Sequence, residues 1–194
     1  MKKICVAFGT RPEAVKMAPV IYALQAQAGL EPIVLVSGQH REQLDQMLDI
    51  FNLKPDADLD VMTSRQTLAG LMGKIVPTAA QKLKELEVDY VLVHGDTLTT
   101  FAVALAAYFE GIPVGHVEAG LRSFKLKEPF PEEANRRMTD VITDIDLPPT
   151  SWAKQNLLNE GKDAKNMIVT GNTAVDAVHY LVERAKLPKH LAKE

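Results

Sequence analysis

Cysteine is nearly absent. A single residue, Cys5, cannot build an internal disulfide framework or a multi-cysteine zinc site, and it fits a reducing compartment. A charge excess is missing too. The formal charge is -3 and the pI about 6.0, so no basic field advertises nucleic acid or an anionic membrane. No apolar run is long enough to cross a bilayer. The opening MKKICVAFGTRPEA has lysines, but its apolar run is too short for a signal peptide. Internal repeats, low-complexity segments and Gly/Ser linkers are lacking. What remains in 194 residues is ordinary: 46% hydrophobic, 24% charged, 11 Gly and 11 Pro, which excludes disorder, collagen and coiled coil. That is enough chain to bury a core without staples, as one large domain or two small ones. The expectation is a soluble, cytoplasmic, globular α/β chain.

Short β-branched runs alternate with longer helical patterns. Strands are expected at Lys3 to Phe8, Pro32 to Val36, Tyr90 to Val93, Ile112 to Val117 and Met167 to Val169, with a further short one at Asp58 to Val61. Helices are expected over Pro12 to Ala28, Glu42 to Phe51, Thr67 to Leu86, Thr97 to Phe109, Glu132 to Ile142, Ser151 to Glu160 and Thr173 to Leu187. Strands apolar on both faces and separated by helices make a parallel sheet covered on both sides. The crossover handedness rule then gives a doubly wound, Rossmann-like sheet. The end, LPKHLAKE, loses periodicity and reads as an exit into a linker.

In such a sheet, ligands bind beyond the carboxyl ends of the strands. Four post-strand loops are polar: Gly9 to Glu13, Ser37 to Glu42, His94 to Thr97 and Glu118 to Arg122. The first is not a dinucleotide fingerprint, because Gly9 stands alone and Pro12 fills a first helical position. Arg11 offers a forked cation suited to phosphate or carboxylate, with Lys16 one turn along; equally, Thr10 and Pro12 start a helix and both cations are merely solvated. Asp96 reads either as a helix N-cap or as a site carboxylate. Glu118, one strand–helix–strand unit later, would stand on a neighbouring strand end, and paired carboxylates in a cleft suit proton transfer. Glu132 and Glu133 begin a helix, where they satisfy the helix dipole unless that helix start faces the sheet edge. His40, His94 and His116 with Asp96 and Glu118 could mimic a metal cluster, but HxxxH and HxH spacings are absent. Cys5 reads as a packed apolar residue, and Trp152 and the methionines as core or interface.

Six segments in fixed order, FGTRPEAVKMAP, GQHREQLDQML, HGDTLTT, VGHVEAGLRS, PFPEEANRRMTD and TGNTAVDA, resemble the non-hydrolysing UDP-N-acetylglucosamine 2-epimerases, from Lys3 to about Val182. The resemblance implies one half of a glycosyltransferase-B-like architecture, with the active site between two Rossmann-like domains. Only the amino-terminal domain is matched, over 1–182. Residues 183–194 would be a tail or the start of a linker, and the carboxy-terminal domain that supplies most nucleotide contacts has no counterpart. Such enzymes interconvert UDP-GlcNAc and UDP-ManNAc by anti elimination of UDP to 2-acetamidoglucal and re-addition. Two faces of the sugar need several acid/base groups, and the leaving diphosphate needs cations.

The resemblance makes Asp96, Glu118 and Glu132 the catalytic carboxylates. Arg11 and Lys16 would contact the nucleotide sugar, with Arg136 assisting. No nicotinamide, metal or other cofactor is implied. Gln39, Arg65 and Gln66, with Glu132, match positions of an allosteric UDP-GlcNAc pocket. Three stretches depart from the family pattern: Leu98, the Ser123 to Glu128 loop, and Asp146 to Thr150. A homodimer is expected. Leu44, Met47, Leu48 and Phe51 form one apolar stripe and Leu68, Leu71, Met72, Ile75 and Val76 another, although a single stripe by default faces its own core. Alternatives are a non-catalytic nucleotide-sugar-binding or dimerisation module, a hydrolysing 2-epimerase that releases ManNAc, and a glycosyltransferase donor domain, against which the PEEANR carboxylate pair argues.

Overall fold

A computed structural model describes residues 1–38, 41–63 and 66–184. The order is β1 (Lys2–Phe8), α1 (Arg11–Ala26), β2 (Leu30–Val36), α2 (Arg41–Ile50), β3 (Ala57–Asp58), α3 (Leu68–Glu85), β4 (Tyr90–His94), α4 (Leu98–Phe109), β5 (Val114–Val117), α5 (Glu132–Ile142), β6 (Ile145–Leu147), α6 (Ser151–Asn159) and α7 (Thr173–Arg184), with a 3₁₀ turn at Ala164–Asn166. The strands form one sheet in the order β3-β2-β1-β4-β5-β6, and every pairing is parallel. This is the doubly wound order expected from the alternating pattern. Among the described residues no helix is long and apolar enough to cross a membrane.

The two-residue period of a strand explains why the sheet is covered on both faces. In β1, Cys5 and Ala7 point into one core with Leu71, Ile75, Ala79 and Leu83 of α3 and Val103 of α4. Val6 and Phe8 point the other way, onto Met17, Ala18 and Ile21 of α1 and Leu44 and Leu48 of α2. β2 splits likewise, with Leu35 on the first side and Val34 and Val36 on the second. Burial pushes the Cys5 thiol far above its ordinary range, with Asp56 adding to the effect, so it is an inert core residue. The last helix returns to the α1 side of the sheet, where Tyr180 stacks on Tyr22 with ring centroids 4.4 Å apart.

Three expectations change. Met167 to Val169 is not a strand, because only Met167 is buried; it contributes one bridge to Asp146. The edge strand is instead Ile145–Leu147, whose acidic, short sequence hid it. β3 is shorter and earlier than Asp58 to Val61. Both stripes assigned to a dimer surface are spent on the chain's own core. Leu44, Leu48, Phe51, Leu71 and Ile75 are buried, Met47, Met72 and Val76 pack partly buried against the same clusters, and only Leu68 is exposed. Trp152 is exposed.

Gly120, just past β5, has φ +81°, and a Cβ there would meet the Ala153 carbonyl oxygen at 2.3 Å. Gly29 has φ +87° but open space around it. Gly29→Ala should therefore cost only the left-handed backbone strain, roughly 1–2 kcal/mol. Gly120→Ala should cost clearly more, because helix backbone rather than a side-chain tip must move. Urea denaturation of the two variants measures the difference; equal losses would remove the steric account.

Candidate active site

Strand order reverses between β1 and β4, which opens a crevice at their carboxyl ends. Two loops meet there, Gly9–Thr10 and Gly95–Thr97. Glu13, in the first turn of α1 and only 2% exposed, holds both. Its Oε2 accepts from Gly9 N at 3.0 Å, Thr10 N at 2.8 Å and Thr10 Oγ1 at 2.8 Å. Its Oε1 accepts from Thr97 Oγ1 at 2.8 Å and Thr100 Oγ1 at 3.1 Å. Gly9 lies so close to Ser37 and Thr99 that a Cβ would fall 2.2 Å from Ser37 Oγ and 2.5 Å from Thr99 Oγ1. The glycine is required there by close approach.

Asp96 is not a helix cap. Thr97 caps α4, its hydroxyl accepting from Thr100 N at 3.1 Å. The Asp96 carboxylate is instead ion-paired through Oδ2 with Arg136 NH2 of α5. Asn135 of the same helix donates to the Asp96 carbonyl at 3.0 Å. Arg136 also lies 3.5 Å from Glu133, which is fully buried and accepts from Ser123 N at 3.0 Å and Phe124 N at 3.3 Å. The start of α5 therefore does face the sheet edge. Glu133 anchors the Ser123 loop, while Glu132 keeps one buried oxygen, Oε2, without a hydrogen-bond partner among the described residues.

Glu118 follows β5, whose Val117 pairs with His94 of β4, so it stands on the strand end beside Asp96. Lys16 reaches across from α1 and places its ammonium 2.8 Å from Oε1 and 2.7 Å from Oε2. Asn172 donates to Oε2 at 3.1 Å. His94 Nε2 lies 3.7 Å from Oε2, past hydrogen-bond length, and acts on Glu118 as a neighbouring charge when protonated. Burial raises the Glu118 carboxyl, but His94 and Lys16 outweigh it and hold it down to about 2. Both His94 ring nitrogens and Arg136 Nε are buried without hydrogen-bond partners among the described residues.

Arg11 is exposed at the mouth of the crevice, in the first turn of α1. Gln39, Arg65 and His40 lie outside the described residues. Gln66 accepts from the Thr63 hydroxyl at 2.9 Å on the surface. His116 does not join His94; it lies behind the crevice, fully buried with Asp140 and Asp146. That trio is compact enough for a metal ion, but Arg122 and Lys162 already meet its negative charge at 2.6 and 3.0 Å. Of the departures from the family pattern, Leu98 packs into the core, and Asp146 accepts from the Thr143 hydroxyl at 2.6 Å.

The structure thus gathers Arg11, Lys16, Asp96, Glu118, Glu132 and Arg136 on one sheet edge, with two carboxylates each paired to a cation. Glu13 and Asn172 were missed as site residues. The T-x-x-E spacing of Thr10 and Glu13, a helix-start signature, was the available signal for the first. Asn172 comes from a distant segment, and its signal was the TGNTAVDA stretch that the resemblance already includes.

A family model described as UDP-N-acetylglucosamine 2-epimerase matches residues 22–194. The chain is 51% identical over 180 residues to a UDP-N-acetylglucosamine 2-epimerase of Bacillus subtilis, covering 93% of this chain and 47% of that protein. It is similar to the crystal structure of a Neisseria meningitidis UDP-GlcNAc 2-epimerase bound to UDP-GlcNAc, with TM-score 0.91 and 48% identity over 95% of this chain and 50% of that one. It is also similar to an S. aureus MnaA–UDP co-structure, with TM-score 0.93 and 49% identity over 100% of this chain and 51% of that one. The chain spans about half the length of the curated relatives it matches.

The Glu118 environment has a pH signature. Its folded-state pKa is depressed from 4.5 to about 2, so its contribution to stability is full above about pH 4.5 and is lost as pH falls toward about 2. Glu118→Gln should flatten that part of the acid-denaturation curve. Melting temperatures of parent and variant across this range test it; parallel curves would contradict the assignment.

Proposed function

The chain belongs to the UDP-N-acetylglucosamine 2-epimerase family, and from that premise we propose that it is the amino-terminal half of an enzyme that inverts carbon 2 of UDP-GlcNAc. The observation that carries this reading is the pair of carboxylate–cation contacts, Glu118–Lys16 and Asp96–Arg136, on adjacent strand ends of one crevice. Elimination of UDP needs a base for the carbon 2 proton and positive charge for the departing diphosphate. Re-addition needs an acid on the opposite face of the sugar. Asp96, Glu118 and Glu132 supply the exchangeable protons, and Arg11 and Lys16 the positive charge. Glu132 enters with an oxygen that no other group among the described residues has claimed.

Lys16 has two tasks that conflict. While it sits on Glu118, that carboxylate is too weak a base for neutral pH. A diphosphate entering beside Arg11 would draw Lys16 away and raise the Glu118 pKa. Substrate binding and base activation are then one event. No nicotinamide or metal is needed.

The same reading takes residues 1–182 as one domain and 183–194 as a tail or the start of a linker. It places the protein in the cytoplasm as a homodimer. With both internal stripes consumed, association would fall to apolar side chains that stay exposed, among them Tyr108 and Phe109 at the end of α4, Val141 of α5 and Trp152 of α6. Gln39, Arg65 and Gln66 would serve a second, regulatory UDP-GlcNAc.

The test uses the two-domain enzyme. Asp96→Asn, Glu118→Gln and Glu132→Gln should each lower turnover by ~100- to 10,000-fold. Because Thr97 and not Asp96 is the cap, Asp96→Asn should cost no more than the ~1 kcal/mol of a partly exposed ion pair. Arg11→Ala should weaken binding and slow UDP loss together. The 194-residue chain alone should turn over UDP-GlcNAc poorly, since it spans about half the length of the relatives it matches and this chemistry needs an enclosed site. Robust epimerisation by this chain, or an Asp96→Asn enzyme that is destabilised yet active, would sink the reading. Release of free ManNAc would reassign the enzyme to the hydrolysing type.

A further inference from the structure

Four residues of the motifs quoted above have no chemistry in the proposed reaction: His116, Arg122, Asn135 and Asp140. They gather behind the loop that carries Asp96. Three successive carbonyls, from the end of β4 into that loop, each receive a side-chain donor from a different element. Thr100 of α4 shares its one hydroxyl hydrogen between His94 O at 2.5 Å and Glu13 Oε1 at 3.1 Å. His116 of β5 lies with Nε2 2.7 Å from Gly95 O. Asn135 of α5 donates to Asp96 O at 3.0 Å. Locking a first contact with a supporting layer is how a side chain is held in one direction.

His116 is fully buried, and both of its ring nitrogens face acceptors. A carbonyl oxygen only accepts, so Nε2 carries a hydrogen. Nδ1 lies 2.5 Å from Asp140 Oδ1. The other Asp140 oxygen receives Arg122 NH2 at 2.6 Å, and that permanent cation favours the ionised carboxylate. An ionised Asp140 can only accept, which places a hydrogen on Nδ1 too and makes the ring an imidazolium. Burial opposes that charge, but Asp140 and the Gly95 carbonyl outweigh burial and hold His116 above the ordinary imidazole range. Burial likewise raises Asp140, and His116 and Arg122 outweigh it in turn. The remaining charges around the pair are Asp146 of β6, Lys162 beyond α6, and Glu160, which holds Arg122 at 2.6 and 2.9 Å.

From this geometry we propose that His116 is a positioning residue: its cationic ring, anchored through Asp140 to Arg122, clamps the Gly95 carbonyl and, with Asn135, fixes the direction of Asp96 toward Arg136. What the clamp does for turnover rests on the proton-transfer role proposed for Asp96; the clamp itself does not.

The test uses the 194-residue chain labelled with ¹⁵N and ¹³C, without ligand. The His116 ring should show two protonated nitrogens at about pH 7, with hydrogen-bond coupling from Nε2 to the Gly95 carbonyl carbon. Asp140→Asn keeps the side-chain shape but removes the counter-charge, and His116 should then lose its second ring proton at a lower pH than in the parent chain. A parent chain in which His116 carries one ring proton at neutral pH, or titrates near the ordinary value of about 6.5, overturns the proposal. Positioning is read separately in Asn135→Ala and His116→Gln. Amide exchange over 94–97 should rise at least about tenfold while β1 and β2 change by less than about twofold. A uniform rise marks general destabilisation and overturns the positioning role. Should His116→Gln fail to fold, Asn135→Ala and the parent titration still decide. In the two-domain enzyme, Asn135→Ala should lower kcat about 10- to 100-fold at a KM within about twofold. An unchanged kcat alongside a clamp seen by resonance overturns the catalytic reading of Asp96 and leaves the clamp standing.

Discussion

One buried carboxylate that takes no part in the chemistry organises the rest. Glu13 collects five hydrogen bonds, from two backbone amides and the Thr10 hydroxyl past the end of β1 and from the Thr97 and Thr100 hydroxyls at the start of α4, the last shared with His94 O. Those two segments lie where the strand order reverses, the one place where the sheet opens. Without this tie, the two helix starts would be free to separate, and with them Arg11 and Lys16 on one side and Asp96 on the other. Removing a partner from such a cluster also leaves several buried donors unsatisfied, which costs more than any one bond contributes. The shape of the crevice is thus set by a polar contact between two elements that the apolar core alone would not align.

Around that tie, charges are arranged as matched pairs. Glu118 meets Lys16, Asp96 meets Arg136, Asp140 meets His116 and Arg122, and Asp146 faces Lys162. The pairs differ in depth. Those behind the sheet edge are closed and hold backbone in place. Those at the crevice mouth are partly open, so an entering anion can compete for their cations. Depth separates the supporting pairs from the working ones, although all use the same residue types.

The sequence told the doubly wound sheet, because runs apolar on both faces between amphipathic helices permit little else, and it told which loops face the ligand. Asp96 and Glu118 stand on the neighbouring strand ends that the post-strand rule names, and the start of α5, with Glu132, faces the same edge. Three things were hidden. The Ile145–Leu147 edge strand is three residues long with an Asp at its centre, so periodicity had nothing to act on. The role of the apolar stripes was undecidable, since a stripe serves a core and an interface with the same spacing. The partners of each carboxylate come from segments 40, 87 or 102 positions away, and no local pattern encodes that distance. Competition between Asp96 and Thr97 for the cap of α4 was also invisible, because both are good caps and only the backbone geometry chooses.

Backbone strain gives an independent reason to take Glu118 seriously. Its φ is +65°, a left-handed conformation that costs a side-chain-bearing residue roughly 1–2 kcal/mol. Asn52 and Glu87 also have positive φ, but each lies just past a helix, where its amide and the next one close the helix end: Asn52 N to Asp49 O and Leu53 N to Leu48 O, and Glu87 N to Lys84 O and Val88 N to Leu83 O. Those two are explained by helix termination, where a left-handed residue is the ordinary solution. Glu118 ends a strand, and its amide simply continues the sheet pairing to Leu147 O. Nothing in that local role requires a glutamate, and a glycine would fit without strain, as Gly120 does two residues later with φ +81°. At this position the left-handed turn gives the side chain a direction, aiming the carboxylate back over the end of β4 onto Lys16 and beside His94.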